Sequence, residues 1–171
     1  MAGDSAGGGL AAELSQKLLD KSVSSDSFVN PPVAQLLIYP MLDDRTCVDK
    51  QHDRFPPHIL WNNTSNTYGW SSYLGENYKP GDEIIPDYAS ASRRKDLSNL
   101  PPAYIVCGSA DLFLSECRDY ASRLKQGGVY VEYEEIIGGC HGMINMCGET
   151  ETVIKIWQKF VSFGKSYLMS T

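Results

Sequence analysis

The chain is 171 residues long, a length that fits one domain. Hydrophobic residues are 42% and charged residues 21%, an ordinary globular balance, and no apolar run is long enough to cross a bilayer. The net charge of −6 argues against a nucleic-acid-binding surface, and without a basic-then-apolar opening segment a cytoplasmic location is expected.

The chain opens on Gly3-Asp4-Ser5-Ala6-Gly7, which fits G-x-S-x-G. In that pattern a serine sits on a strained turn between a strand and a helix, and its neighbours must be small because the backbone passes close by. Only four residues precede Ser5, so no full strand is expected beneath it. From Leu10 to Lys21 leucines recur at helical spacing (Leu10, Leu14, Leu18, Leu19), which predicts a helix. Ser22 to Pro32 is polar, ends in two prolines and reads as a loop. Val33 to Tyr39 is a nearly continuous apolar run stopped by Pro40, the pattern of a buried parallel strand. Residues 41–100 lack strong periodicity and carry many aromatic residues. They read as short helices and long loops near the substrate pocket, with one helix near Ile59 to Leu74.

Ala103 to Cys107 predicts a second buried strand and Ser115 to Gln126 a helix closed by Gly127-Gly128. Val129 to Ile137 predicts a third strand, and Thr150 to Leu168 a terminal amphipathic helix. Strands alternating with helices imply an α/β fold with parallel pairing and right-handed crossovers.

A serine hydroxyl is a weak nucleophile that needs a base, and the base needs an orienting acid. Of His52, His58 and His141, only His141 follows both the serine and a strand-borne acid. His141 is the candidate base, while His52 and His58 read as structural. Asp111, at the carboxyl end of the second strand, is the candidate acid, with helix capping as its competing role. Glu116, five residues on, is the alternative acid. The backbone N–H of Ala6 is the candidate oxyanion donor, because the residue after the nucleophile normally supplies one. The five cysteines are an odd number without paired spacing and read as reduced thiols. Cys140, His141 and Cys147 lack the spacing of a zinc site, so neither a metal nor a cofactor is expected.

Together these residues resemble the hormone-sensitive-lipase-like branch of the α/β-hydrolases, which includes arylacetamide-deacetylase-like enzymes. The resemblance lies in Gly3-Asp4-Ser5-Ala6-Gly7-Gly8, Tyr39-Pro40-Met41-Leu42-Asp43, the segment from Leu100 to Asp111, that from Tyr120 to Val129, and His141-Gly142-Met143. It implies Ser5, Asp111 and His141 as a triad that hydrolyses small to medium acyl esters through an acyl-enzyme. The substrate is then a small-molecule ester, and the oligomeric state stays open. The His-Gly-Gly-Gly segment of that branch is absent from these residues, and Gly9 stands where the branch commonly has Asn. Residues 1–171 are therefore expected to be a partial catalytic domain, from the elbow to the carboxyl terminus, with about three parallel strands and little activity alone. The competing expectation is an inactive fragment or a ligand-binding protein on the same scaffold.

Overall fold

A computed structural model describes residues 1–24, 29–49 and 60–169. Its centre is a four-stranded, wholly parallel sheet in the order β1-β2-β3-β4, formed by Ala2–Asp4, Gln35–Ile38, Ala103–Gly108 and Val131–Ile136. The register is continuous: Leu36 pairs with Ala2 on one side and Tyr104 on the other, and Tyr104 pairs with Glu132. Every residue of β2 and β3 is buried, which is why both read as nearly continuous apolar runs, with Gln35 the polar exception in β2.

The first strand is the difference from the sequence reading. Ala2–Asp4 is too short to show a period of its own, yet it pairs with Leu36, Leu37 and Ile38. Ser5 therefore leaves directly from the end of a sheet strand.

Helix α1 runs over Ser5–Val23, α2 over Asn63–Leu74, α3 over Leu114–Gln126, α4 over Met143–Met146 and α5 over Glu151–Leu168. Single 3-10 turns lie at Asp44–Cys47 and Ala91–Arg93. Successive strand residues face opposite sides of a sheet, so Tyr104 and Cys107 point to opposite faces. Helix α5 covers the Tyr104 face, where that ring lies 6.3 Å from Phe160 and 6.0 Å from Phe163. Helix α3 covers the Cys107 face, and Gln16 of α1 donates to the Tyr120 hydroxyl of α3 at 3.3 Å. The result is helix, sheet and helix in three layers around one apolar core.

Two of the leucines that predict α1 lie off its inner face, while Leu19 packs against the core. Leu10 and Leu14 are 51% and 41% exposed, whereas Gly8, Gly9, Ala11, Ala12, Ser15 and Gln16 are buried. Close packing is the reason: a β-carbon on Gly9 would lie 2.1 Å from the Met41 carbonyl oxygen. The helix approaches the sheet on its smallest residues.

Within 41–100 the described residues are tied down by polar groups. Arg93 forks onto buried Asp44 at 2.8 and 2.6 Å, and Gly81 N–H adds a third bond at 2.8 Å. Burial opposes the charge on Asp44, but these donors, with Ser90, outweigh it and hold the carboxyl below its ordinary range. His52, His58 and Phe55 lie outside the described residues. Among the described residues, no helix is long and apolar enough to cross a membrane.

Candidate active site

In a parallel sheet all strands end along one edge, and side chains from the following loops meet there. Ser5 follows β1, Tyr39 follows β2, Asp111 follows β3 and His141 follows β4. Ser5 has φ +51°, the left-handed conformation that a non-glycine residue adopts only under constraint. The constraint is visible: Met41 N–H donates to the Ser5 carbonyl at 3.0 Å, and a β-carbon on Gly3 would lie 2.2 Å from the Gly7 carbonyl oxygen.

Ser5 Oγ lies 2.9 Å from His141 Nε2, and His141 Nδ1 lies 2.9 Å from Asp111 Oδ2. Asp111 Oδ1 accepts from Phe113 N–H at 2.9 Å. One oxygen thus serves the turn before α3 and the other serves the imidazole, while the cap position of α3 is Phe113 and not Asp111. His141 must reach back across the sheet, since β1 and β4 are separated by three strand spacings of about 4.8 Å. Its loop turns at Gly138 and Gly142, with φ +75° and +71°. Three rings then fix the imidazole: Tyr39 at 4.8 Å and Phe113 at 5.1 Å edge-on, and Trp61 at 5.9 Å. Trp61 falls in the aromatic segment expected near the pocket, whereas Tyr39 and Phe113 were not legible as site residues, although Tyr39 ends a strand at the edge where sites gather.

The loops bearing Asp111 and His141 are zipped together by backbone. Ser109 N–H donates to Ile136 O and Ala110 N–H to Gly139 O, both at 2.9 Å. A β-carbon on Gly108 would lie 2.0 Å from the Gly139 carbonyl oxygen. Gly108→Ala is therefore expected to push the His141 loop off β3 and to cost about 1–3 kcal/mol of stability, measured by urea unfolding. An unchanged midpoint would show that the two loops are not in obligatory contact.

Glu116 is placed elsewhere. It is buried, accepts from Leu42 N–H at 2.7 Å and from the Thr46 hydroxyl, and has no bond to His141. Burial pushes its carboxyl well above the ordinary range, against the pull of the Thr46 and Leu42 donors. Ala6 lies in the first turn of α1, where N–H groups have no intrahelical acceptor and are free for an anion.

Beside Ser5 lies a pocket of about 130 Å³. Its walls are Ala6, Leu10, Met41, Trp61 and Trp70, with Glu13 and Tyr73 among them. Glu13 is only 5% exposed and accepts from the Tyr73 hydroxyl at 2.6 Å. Burial raises its carboxyl to about 7, opposed in part by the Tyr73 bond. Between the ordinary value of 4.5 and about 7, the folded chain keeps a proton that the unfolded chain has lost. Stability must therefore fall as pH rises through that window, by up to about 3 kcal/mol from Glu13. Glu116, also raised, adds to the same slope. Glu13→Gln is expected to melt higher than the wild type at about pH 8 and no higher at about pH 4, with thermal unfolding as the measurement. The same difference at both pH values would contradict the raised carboxyl.

A serine hydroxyl, an imidazole and a carboxylate in hydrogen-bonded series can activate the hydroxyl as a nucleophile. The sheet, the turn at Ser5 and this series define a hydrolase fold, and the chain belongs to the α/β-hydrolase fold family, whose profile matches residues 1–145. Its relatives place it in the hormone-sensitive-lipase-like branch. Lipase 2 of Moraxella sp. (strain TA144) is 28% identical over 168 residues, covering 85% of this chain and 37% of that protein. Esterase LipI of Mycobacterium tuberculosis (strain ATCC 25618 / H37Rv) is 30% identical over 152 residues, covering 86% of this chain and 43% of its own length. Among solved structures, a bacterial heroin esterase superposes with a TM-score of 0.85 at 33% identity, over 97% of this chain and 50% of its own. Esterase LipW from Mycobacterium marinum gives a TM-score of 0.78 at 30% identity, over 93% of this chain and 46% of its own. The chain thus spans half or less of the length of each of these proteins.

Proposed function

We propose that the chain carries the hydrolytic centre of a carboxylic ester hydrolase acting on small to medium acyl esters. The observation that carries this reading is the unbroken series from Ser5 Oγ through His141 to Asp111, with both links at 2.9 Å. Ser5 Oγ attacks the ester carbonyl carbon while His141 Nε2 takes its proton. The carbonyl oxygen becomes an anion facing the Ala6 N–H. The tetrahedral species collapses, the C–O bond to the alcohol breaks, and His141 returns the proton to the departing oxygen. Water, deprotonated by the same imidazole, then attacks the acyl carbon on Ser5 and frees the acid. Asp111 holds Nδ1 protonated and stabilises the imidazolium without itself taking the proton. Esterases and lipases among the relatives support the bond type.

The test uses p-nitrophenyl butyrate with the monomeric chain. A butyryl group on the peptide bearing Ser5 is the expected result, with only weak further release of nitrophenolate, since the chain spans half or less of the length of the esterases it matches. Release with no acylated Ser5, or no release and no acylation, would sink the reading.

A further inference from the structure

Helix α1 buries Glu13 while exposing Leu10, three residues before it, and Leu14, the next residue. Glu13 is 5% exposed, whereas Leu10 and Leu14 are 51% and 41% exposed. A chain that breaks the rule of apolar inside and charged outside does so at a cost, and functional sites are where such costs are kept. Glu13 lies in the wall of the 130 Å³ pocket beside Ser5. That pocket is otherwise mostly apolar and shares two of its walls with the site. Ala6 follows Ser5 in the chain, and Trp61 lies 5.9 Å from the His141 ring.

Among the described residues, one donor reaches the Glu13 carboxyl. Its Oε2 accepts from the Tyr73 hydroxyl at 2.6 Å. Among the described residues, no donor reaches Oε1. Tyr73 comes from α2 and Glu13 from α1, so the two helices hold the carboxyl in one orientation. A phenol O–H fixes a carboxyl without neutralising it, and a group entering the pocket meets an acceptor already in place.

We propose that Glu13, positioned by Tyr73, determines specificity by selecting esters whose pocket-bound arm ends in a hydrogen-bond donor, a hydroxyl or a protonated amine. The proposal rests on the ester-hydrolase reading above. An alkyl arm would strip water from the carboxyl and return nothing. A donor-bearing arm replaces the lost water with a charge-assisted bond in an apolar surround, where such bonds discriminate strongly. The carboxyl's upward displacement to about 7 agrees with its burial and leaves both ionisation states accessible near neutrality, each able to accept at one oxygen.

The test compares butyl esters with their ω-hydroxy and ω-amino analogues, the variation being made once on the acyl side and once on the alcohol side. The wild type should favour a donor-bearing member by about tenfold or more in kcat/KM on one side. Glu13→Leu should reverse that preference while still cleaving the alkyl ester, and Glu13→Gln should fall between them. If the hydroxy ester alone is favoured the donor is neutral, and if the amino ester is favoured more it is cationic. A ratio that Glu13→Leu leaves unchanged overturns the proposal, as does a wild type that prefers the alkyl member. Binding is read separately from turnover, by Trp61 and Trp70 fluorescence during titration with butylamine hydrochloride and with butanol. A response to either in the wild type that Glu13→Gln and Glu13→Leu diminish supports the proposal even if no ester is cleaved, in which case the ester-hydrolase reading fails instead. Absence of a response in the wild type, or an equal response in the variants, overturns it.

Discussion

Ser5→Ala is expected to abolish labelling by a fluorophosphonate and to lower kcat by on the order of a million-fold. The methyl group cannot attack phosphorus or carbon, and nothing else at the strand ends replaces the hydroxyl 2.9 Å from His141 Nε2. The fold should survive, because alanine carries the same β-carbon as serine and so the same strain at φ +51°. Ser5→Gly separates the two burdens of this position. Glycine adopts a left-handed conformation without penalty, so Ser5→Gly should be equally dead yet about 1 kcal/mol more stable than Ser5→Ala in urea unfolding. Labelling that persists in either variant would place the nucleophile elsewhere. A Ser5→Gly protein no more stable than Ser5→Ala would mean that the turn stores no strain.

Asp111→Asn should lower kcat by roughly 10,000-fold with little change in stability. The Phe113 N–H bond to Oδ1 can persist with an amide oxygen. The other amide atom is then an NH2 group facing His141 Nδ1, where Asp111 Oδ2 now sits at 2.9 Å. An NH2 group donates, so Nδ1 must accept and the ring proton moves to Nε2. That tautomer cannot take a proton from Ser5. Steady-state kinetics should show the loss in kcat with KM nearly constant. Glu116→Gln is the control: its side chain meets Leu42 and Thr46, so it should keep most of kcat. An Asp111→Asn enzyme within tenfold of wild type, with Glu116→Gln crippled, would reverse the two carboxylates.

How much of this was legible in the sequence varied with the range of the forces involved. Buried strands announce themselves locally, so β2 and β3 could be read from Val33–Tyr39 and Ala103–Cys107. Strand β1 could not, because three residues define no period and only pairing with Leu36, Leu37 and Ile38 makes them a strand. Helix α4, four residues long, was likewise invisible. The leucines of α1 announced a helix but not its inner face, since close approach to Met41 selects small residues there. Ser5, Asp111 and His141 could be named from chain order and motif, and the fold brings those three side chains into one hydrogen-bonded series. Glu13 could not, because a glutamate in a helix reads as solvated until Tyr73 of α2 is seen over it.

The bond from Ser5 to His141 joins residues 136 positions apart. Its partners lie beyond the two outermost strands of the described sheet, with β2 and β3 between them. During synthesis the serine leaves the ribosome seconds before its imidazole, at roughly 5–20 residues per second. No shorter piece of this chain ending before residue 141 can hold the series. A stalled or prematurely ended product would therefore display a strained serine with no imidazole beside it.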